Sequence, residues 1–94
     1  MKIYTTNEVT QELLHLPHWQ INKDAIEKTF LFGDFKQALG FIVQVGILAE
    51  NADHHPEIIN VYNKVILRLN THSANAITSK DILLAKAIET LSIN

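Results

Sequence analysis

The sequence predicts an α+β fold: a four-stranded antiparallel sheet with three helices packed on one face, in the order α-β-β-α-β-β-α. Three observations predict it. Capping-box pairs, in which a short oxygen-bearing side chain and an acid or amide three residues on satisfy each other's free N–H groups, recur at Thr5 with Glu8, Asp34 with Gln37 and Thr78 with Asp81. Between these helix starts the apolar period drops to two, the period of a half-buried strand. Each alternating stretch is broken by a short polar loop, so it reads as a hairpin, whose strands must be antiparallel neighbours.

The elements follow in order. Thr5 opens a short helix through Val9 and Leu13, which stops before Pro17 because the residue ahead of a proline avoids α geometry. Trp19 and Ile21, then Ile26, Phe30 and Phe32, alternate with polar residues and form a hairpin about Asn22-Lys23-Asp24. From Asp34 runs the longest helix, where Phe35, Ala38, Leu39, Ile42, Val45, Gly46 and Ala49 make a wide apolar stripe expected to lie on the sheet. Tyr62-Asn63-Lys64 turns the chain from a strand at residues 57–61 into one at 65–71, with Val65, Leu67 and Leu69 inward. Thr78 starts the last helix.

Composition bounds what such a domain does. Ninety-four residues make one domain, 1–94. At 47% hydrophobic and 19% charged, against roughly 25% charged in an ordinary chain, disorder is excluded and more apolar surface is present than so small a core can absorb. A subunit interface is therefore expected, with Ile66, on the opposite strand face from Val65 and Leu67, as a candidate member. Net charge is −2 and Arg68 is the single arginine, which disfavours direct nucleic-acid binding. Cysteine is absent, so disulfides and thiolate chemistry are excluded, in keeping with a reducing compartment. Residues 1–8 lack the apolar core of a signal peptide, and the longest charge-free stretch, 37–49, is shorter than the roughly 20 residues of a membrane span. The expected location is the cytoplasm. Gly33, Gly40 and Gly46 do not form a phosphate loop.

Chemistry points to histidine. His54 and His55 stand before Pro56 at an element end, and His72 follows the fourth strand. Imidazole is the side chain whose ordinary pKa lies near neutrality, so three together make an acid–base site. Pro56 holds His55 extended, sending His54 and His55 in different directions. Glu50 lies four residues before His54, so a helix reaching that far puts the two on one face, where the carboxylate favours the protonated imidazole and makes His54 the expected acid. His15 and His18 read as solvated surface groups. A metal site is the weaker reading: adjacent histidines are poor partners on one ion, and no His-x-x-x-His pair is present, though Glu50 or Asp53 are possible further ligands. No metal and no cofactor are expected. Trp19 taken alone reads as core, Thr78 and Asp81 as caps, and Lys80 as a solvated lysine.

The string Ala49-Glu50-Asn51-Ala52-Asp53-His54-His55-Pro56-Glu57, followed by Asn60-Val61-Tyr62-Asn63-Lys64-Val65 and Leu69-Asn70-Thr71-His72, resembles the pterin-4a-carbinolamine dehydratases. The likeness extends upstream through Trp19, Asp24-Ala25-Ile26, Phe35 and Gly40-Phe41, and downstream through Thr78, Asp81 and Ala85. It implies a cytosolic 4a-hydroxytetrahydrobiopterin dehydratase that forms quinonoid dihydropterin and works as a homodimer or homotetramer on a small-molecule pterin. By the same resemblance His54, His55, His72 and Glu50 are the catalytic set, and Trp19 becomes a pocket wall, with Pro56, Thr71 and Ser73 as further substrate-binding neighbours. The sequence departs from the family pattern at Asn75-Ala76, where many relatives carry glycines, and at Lys80, where many carry arginine. A different loop shape beside His72 is therefore expected. Two alternatives stay open: a non-catalytic interaction module of the same fold, as some animal relatives also partner a transcription factor, and activity on another pterin-type ligand.

Overall fold

The computed structural model describes residues 1–91. In chain order the elements are α1 (Thr6–Leu13), β1 (Gln20–Asn22), β2 (Ala25–Leu31), α2 (Phe35–Ala52), β3 (Glu57–Val61), β4 (Lys64–Leu69) and α3 (Ser79–Glu89). The fold is α+β, and the element order is the one the sequence predicts. All strand neighbours are antiparallel, in the spatial order β1-β2-β4-β3. Both hairpins close through two-residue loops, Lys23-Asp24 and Tyr62-Asn63, whose first residues take positive φ of 61° and 51°.

Period-two alternation decides which sheet face is covered. Ile26 and Phe30 on β2 stand opposite Leu69 and Val65 on β4, and with Leu67 they join Val9 of α1, Ala38, Phe41 and Val45 of α2, and Ile82, Leu84, Ala85 and Ile88 of α3 in one hydrophobic cluster. Phe41 tilts between Phe30 and Phe32, at centroid separations of 4.7 and 5.0 Å. Lys28 shares this inner face and is largely covered, its charge met by an acid of α3. Its stem runs along the sheet, and its ammonium sits 4.7 Å from the Phe30 ring centroid and 2.8 Å from Glu89 Oε2.

Two expectations need correction. Of the α2 stripe, Ala38, Val45 and Ala49 are buried, but Phe35 and Leu39 face outward, and Phe41, outside the expected set, lies at the centre. The helix is apolar on more than one side. Phe35, Leu39, Val43 and Ile47, at four-residue steps, form a second stripe that is 46%, 43%, 62% and 57% exposed. The box at Asp34 is also displaced: Asp34 Oδ1 accepts from Gln37 N, but Gln37 Oε1 accepts from Gly33 N, not Asp34 N.

The boxes at Thr5 and Thr78 form as expected. At the first, Glu8 Oε1 accepts from Thr5 N at 3.0 Å, and Glu8 Oε2 pairs with Lys2 Nζ at 2.6 Å. The Lys2 hydrogen bond first, and the Thr5 amide next, lower the Glu8 carboxyl from 4.5 to about 2. A depressed folded value means stability present above the unfolded value and lost as pH falls through the folded one. Glu8→Gln is therefore expected to lower the melting temperature slightly at pH 7, with the difference from wild type shrinking below 4.5 and vanishing near 2. Circular dichroism melts across that range check it; a constant difference would mean the pair is not its source.

Candidate active site

The site begins where α2 stops. Asp53 adopts left-handed geometry, φ 50° and ψ 44°. His54 N donates to Ala49 O at 3.1 Å and Asp53 N to Glu50 O at 3.2 Å, the two bonds of a Schellman motif. Aspartate tolerates this conformation because its short polar side chain bonds locally. The reversal turns His54 inward, 8% exposed, and leaves His55 outside. Pro56 then holds His55 extended as the chain enters β3.

Inside, His54 Nε2 lies 2.5 Å from Asp81 Oδ1. Asp81, on the first turn of α3, is fully buried. Its other oxygen, Oδ2, accepts from Thr78 N at 2.9 Å and from Thr71 Oγ1 at 2.8 Å. Because the Thr71 proton is committed to Asp81, the 2.7 Å contact between Thr71 and Thr78 hydroxyls has Thr78 as donor, and Thr78 Oγ1 in turn accepts from Lys80 N at 3.2 Å. The network likewise assigns the His54 proton to Nε2, leaving Nδ1 as the ring's working position. No buried side-chain nitrogen or oxygen among the described residues lacks a partner. Leaving such a donor unpaired costs about 1–3 kcal/mol each, so one carboxylate strongly specifies how α2, β4 and α3 meet.

From the end of β4 the chain passes through Asn70 and Thr71 to His72. Thr71 and Ala76 pair across a tight loop, with Thr71 N donating to Ala76 O at 3.0 Å. Asn75 takes the positive φ, 48°, and Ala76 does not. Asn75 and Ala76 close the loop, because the left-handed position falls on the asparagine that tolerates it.

His54, His55 and His72 line one open groove of about 270 Å³ with Asp53, Asn70, Thr71, Ser73 and Lys80. That volume is just under the roughly 300–1,000 Å³ usual for small-ligand pockets and suits a compact ring. Glu50 does not support His54. It pairs with His55, Oε1 to Nε2 at 2.5 Å, on the exposed surface, because the left-handed Asp53 breaks the four-residue spacing before His54 is reached. Trp19 is not in the groove: it is 4% exposed, its ring packs edge-on to Phe30, and its indole N–H donates to Glu89 Oε2 at 3.1 Å. Glu89 is eight residues beyond Asp81, about 12 Å along α3 at 1.5 Å per residue, so Trp19 belongs to the far end of the core. Pro56 is half-buried and does not line the groove; it shapes the backbone of His55. Asp81 went unrecognised in the sequence because its capping role accounts for it completely. Lys80, on the groove rim, is exposed, as the sequence predicts. No set of three or more His, Cys, Asp or Glu side chains among the described residues is arranged to hold a metal ion.

Comparison with known proteins points the same way. Residues 2–91 match the family model described as pterin 4 alpha carbinolamine dehydratase. The chain is 45% identical over 91 residues to a protein of Sulfurisphaera tokodaii named "Putative pterin-4-alpha-carbinolamine dehydratase", covering 97% of this chain and 98% of the relative. A Burkholderia ambifaria protein of the same name is 44% identical over 87 residues, 90% of this chain and 85% of that one. A crystal structure described as a transcriptional coactivator/pterin dehydratase from Brucella melitensis superposes with TM-score 0.89 at 40% identity, covering 94% of this chain and 96% of that one. A pterin dehydratase-like protein identified as a RuBisCO assembly factor in the alpha-carboxysome shares the fold, with TM-score 0.62 at 20% identity over 77% of this chain and 83% of that one.

The turn at Asp53 gives a direct test of how the groove is built. Asp53→Gly is expected to fold with unchanged or slightly higher stability, whereas Asp53→Val, which resists left-handed geometry, loses about 1–2 kcal/mol. Chemical denaturation measures both, and equal effects would show that the turn does not set the site.

Proposed function

Since the chain belongs to the pterin 4 alpha carbinolamine dehydratase family, we propose that it dehydrates a 4a-hydroxytetrahydropterin to the quinonoid dihydropterin, with His54, His55 and His72 around the ring. The observation that carries this is His54 locked by a buried carboxylate, its Nδ1 left free, in a groove shared with two further imidazoles. The substrate's carbinolamine carbon bears a hydroxyl and a ring nitrogen. Loss of water needs an acid to protonate the departing hydroxyl and a base to take a proton from nitrogen; the C–O bond breaks, a C=N bond forms, and no electrons leave the molecule.

His54 suits the base. Asp81 holds its Nε2–H and stabilises the imidazolium that forms when Nδ1 takes the proton, as a carboxylate does behind a catalytic histidine. Glu50 supported a different assignment, His54 as acid; that support goes with Glu50 to His55. His72, whose imidazole makes no hydrogen bond among the described residues, serves as the acid in this reading. Glu50 orients His55 against the ring. Thr71 and Ser73, beside His72, complete the binding surface, while Trp19 and Pro56 act through packing and backbone geometry. Asp81 is a positioning residue. A cytoplasmic setting suits a chain without cysteine.

The test is turnover of chemically generated 4a-hydroxytetrahydropterin. Wild type should exceed the spontaneous rate, and His54→Ala and His72→Ala should each lose about 100-fold in kcat. Asp81→Asn is expected to lower kcat to a similar degree with little change in KM and to alter the pH–rate profile, which a purely structural role would leave in place. Wild type no faster than the background, or histidine variants at full rate, would overturn the assignment in favour of a non-catalytic interaction module.

The protein is further proposed to work as a homo-oligomer, a dimer or a tetramer. The support is unpartnered apolar surface: the outward stripe of α2, and the outer face at edge strand β3, where Ile59 and Val61 are exposed beside Ile66. Sedimentation equilibrium at micromolar concentration should give a multiple of 10.7 kDa. Val43→Glu should shift it toward smaller species, and wild type at the protomer mass would refute the proposal.

A further inference from the structure

His55, Asn70 and His72 border two cavities. One is the groove already described; the other lies across them on the outer sheet face, where Asp24, Glu57 and Arg68 complete its lining. Resting on the dehydratase reading, we infer that this second cavity takes the substituent carried by the pterin's reduced ring, and that it selects neutral, hydroxylated substituents over anionic ones.

The strand register builds the cavity's charge. Arg68 on β4 stands between Glu27 on β2 and Glu57 on β3, so carboxylates flank it on both sides. Its Nη1 protons are spent on Asn22 O at 3.1 Å and Glu27 Oε2 at 3.2 Å, and Nη2 reaches Asp24 Oδ1 at 3.4 Å. Nε is 3.7 Å from Glu57 Oε1, too far for a hydrogen bond. One guanidinium therefore faces three carboxylates, two of which, Asp24 and Glu57, line the cavity, so with its histidines neutral the cavity is formally negative despite containing the chain's only arginine. An anionic substituent would meet Asp24 and Glu57, while Arg68 is already engaged by carboxylates. A hydroxyl fits both sides of the lining, donating to a carboxylate and accepting from the remaining guanidinium or amide protons. Continuity supplies the rest: a ring in the groove has His55 and His72 at its edge, and whatever projects past them enters this cavity.

The test is titration calorimetry at low salt with three stable oxidised ligands: pterin, its hydroxymethyl derivative, and its carboxylate derivative at the same ring carbon. Wild type should hold the hydroxymethyl compound about tenfold more tightly than the carboxylate. Asp24→Asn with Glu57→Gln should erase most of that ratio by gaining affinity for the carboxylate. Glu57→Gln alone, at an exposed position, should remove part of it without disturbing Arg68. The wild-type ratio should also narrow as salt rises. If wild type binds the carboxylate as tightly as the hydroxymethyl compound, or the variants keep the wild-type ratio, the subsite is wrong while the dehydratase reading stands. If none of the three binds, the dehydratase reading fails and takes the subsite with it.

Discussion

The fold's working end depends on one buried carboxylate. Asp81 caps its own helix through Thr78 N, receives Thr71 from the end of β4, and holds His54 from the end of α2. Three elements distant in sequence thus meet on two oxygen atoms. Each of these groups is buried, so misplacing any one of them strands a polar group at a cost comparable to a large share of a small domain's net stability. Structural and proposed chemical roles coincide here: the carboxylate that satisfies a helix start through one oxygen holds His54 Nε2 through the other.

The opposite end of α3 is held in the same way by another acid. Glu89 Oε2 gathers the Trp19 indole and the Lys28 ammonium, tying the helix to the approach to β1 and to the inner face of β2. With Asp81 and Glu89 as its two anchors, α3 lies across the sheet with a polar node at each end and Ile82, Leu84, Ala85 and Ile88 between them in the core. This division of labour keeps Trp19 out of the groove. It also leaves the groove lined by histidine, threonine, serine and lysine, a wall suited to moving protons rather than to stacking on an aromatic face.

His54 and His55 show how little adjacency says about environment. One left-handed residue before them and one proline after them send the first to a buried carboxylate and the second to an exposed one. The sequence brings three histidines and a glutamate together in this region. The partner each imidazole takes is a property of the folded chain. The same holds for the apolar surplus: α2 is apolar on two sides, and only one of them can reach the sheet, so the other is left for whatever the protein assembles with.

Sequence by itself determined the α+β class, the element order, two of the three capping boxes and both hairpin loops, because each rests on interactions spanning only a few residues: caps, period-two alternation and turn chemistry. It also brought His54, His55 and His72 forward as candidates and carried the family resemblance. Tertiary structure decided the pairings: Asp81 with His54, Glu50 with His55, Trp19 with Glu89, and which flank of α2 is buried. Those contacts join residues up to 70 apart in the chain. A local role that already explains a residue, as capping explains Asp81, conceals its second partner until the chain is folded around it.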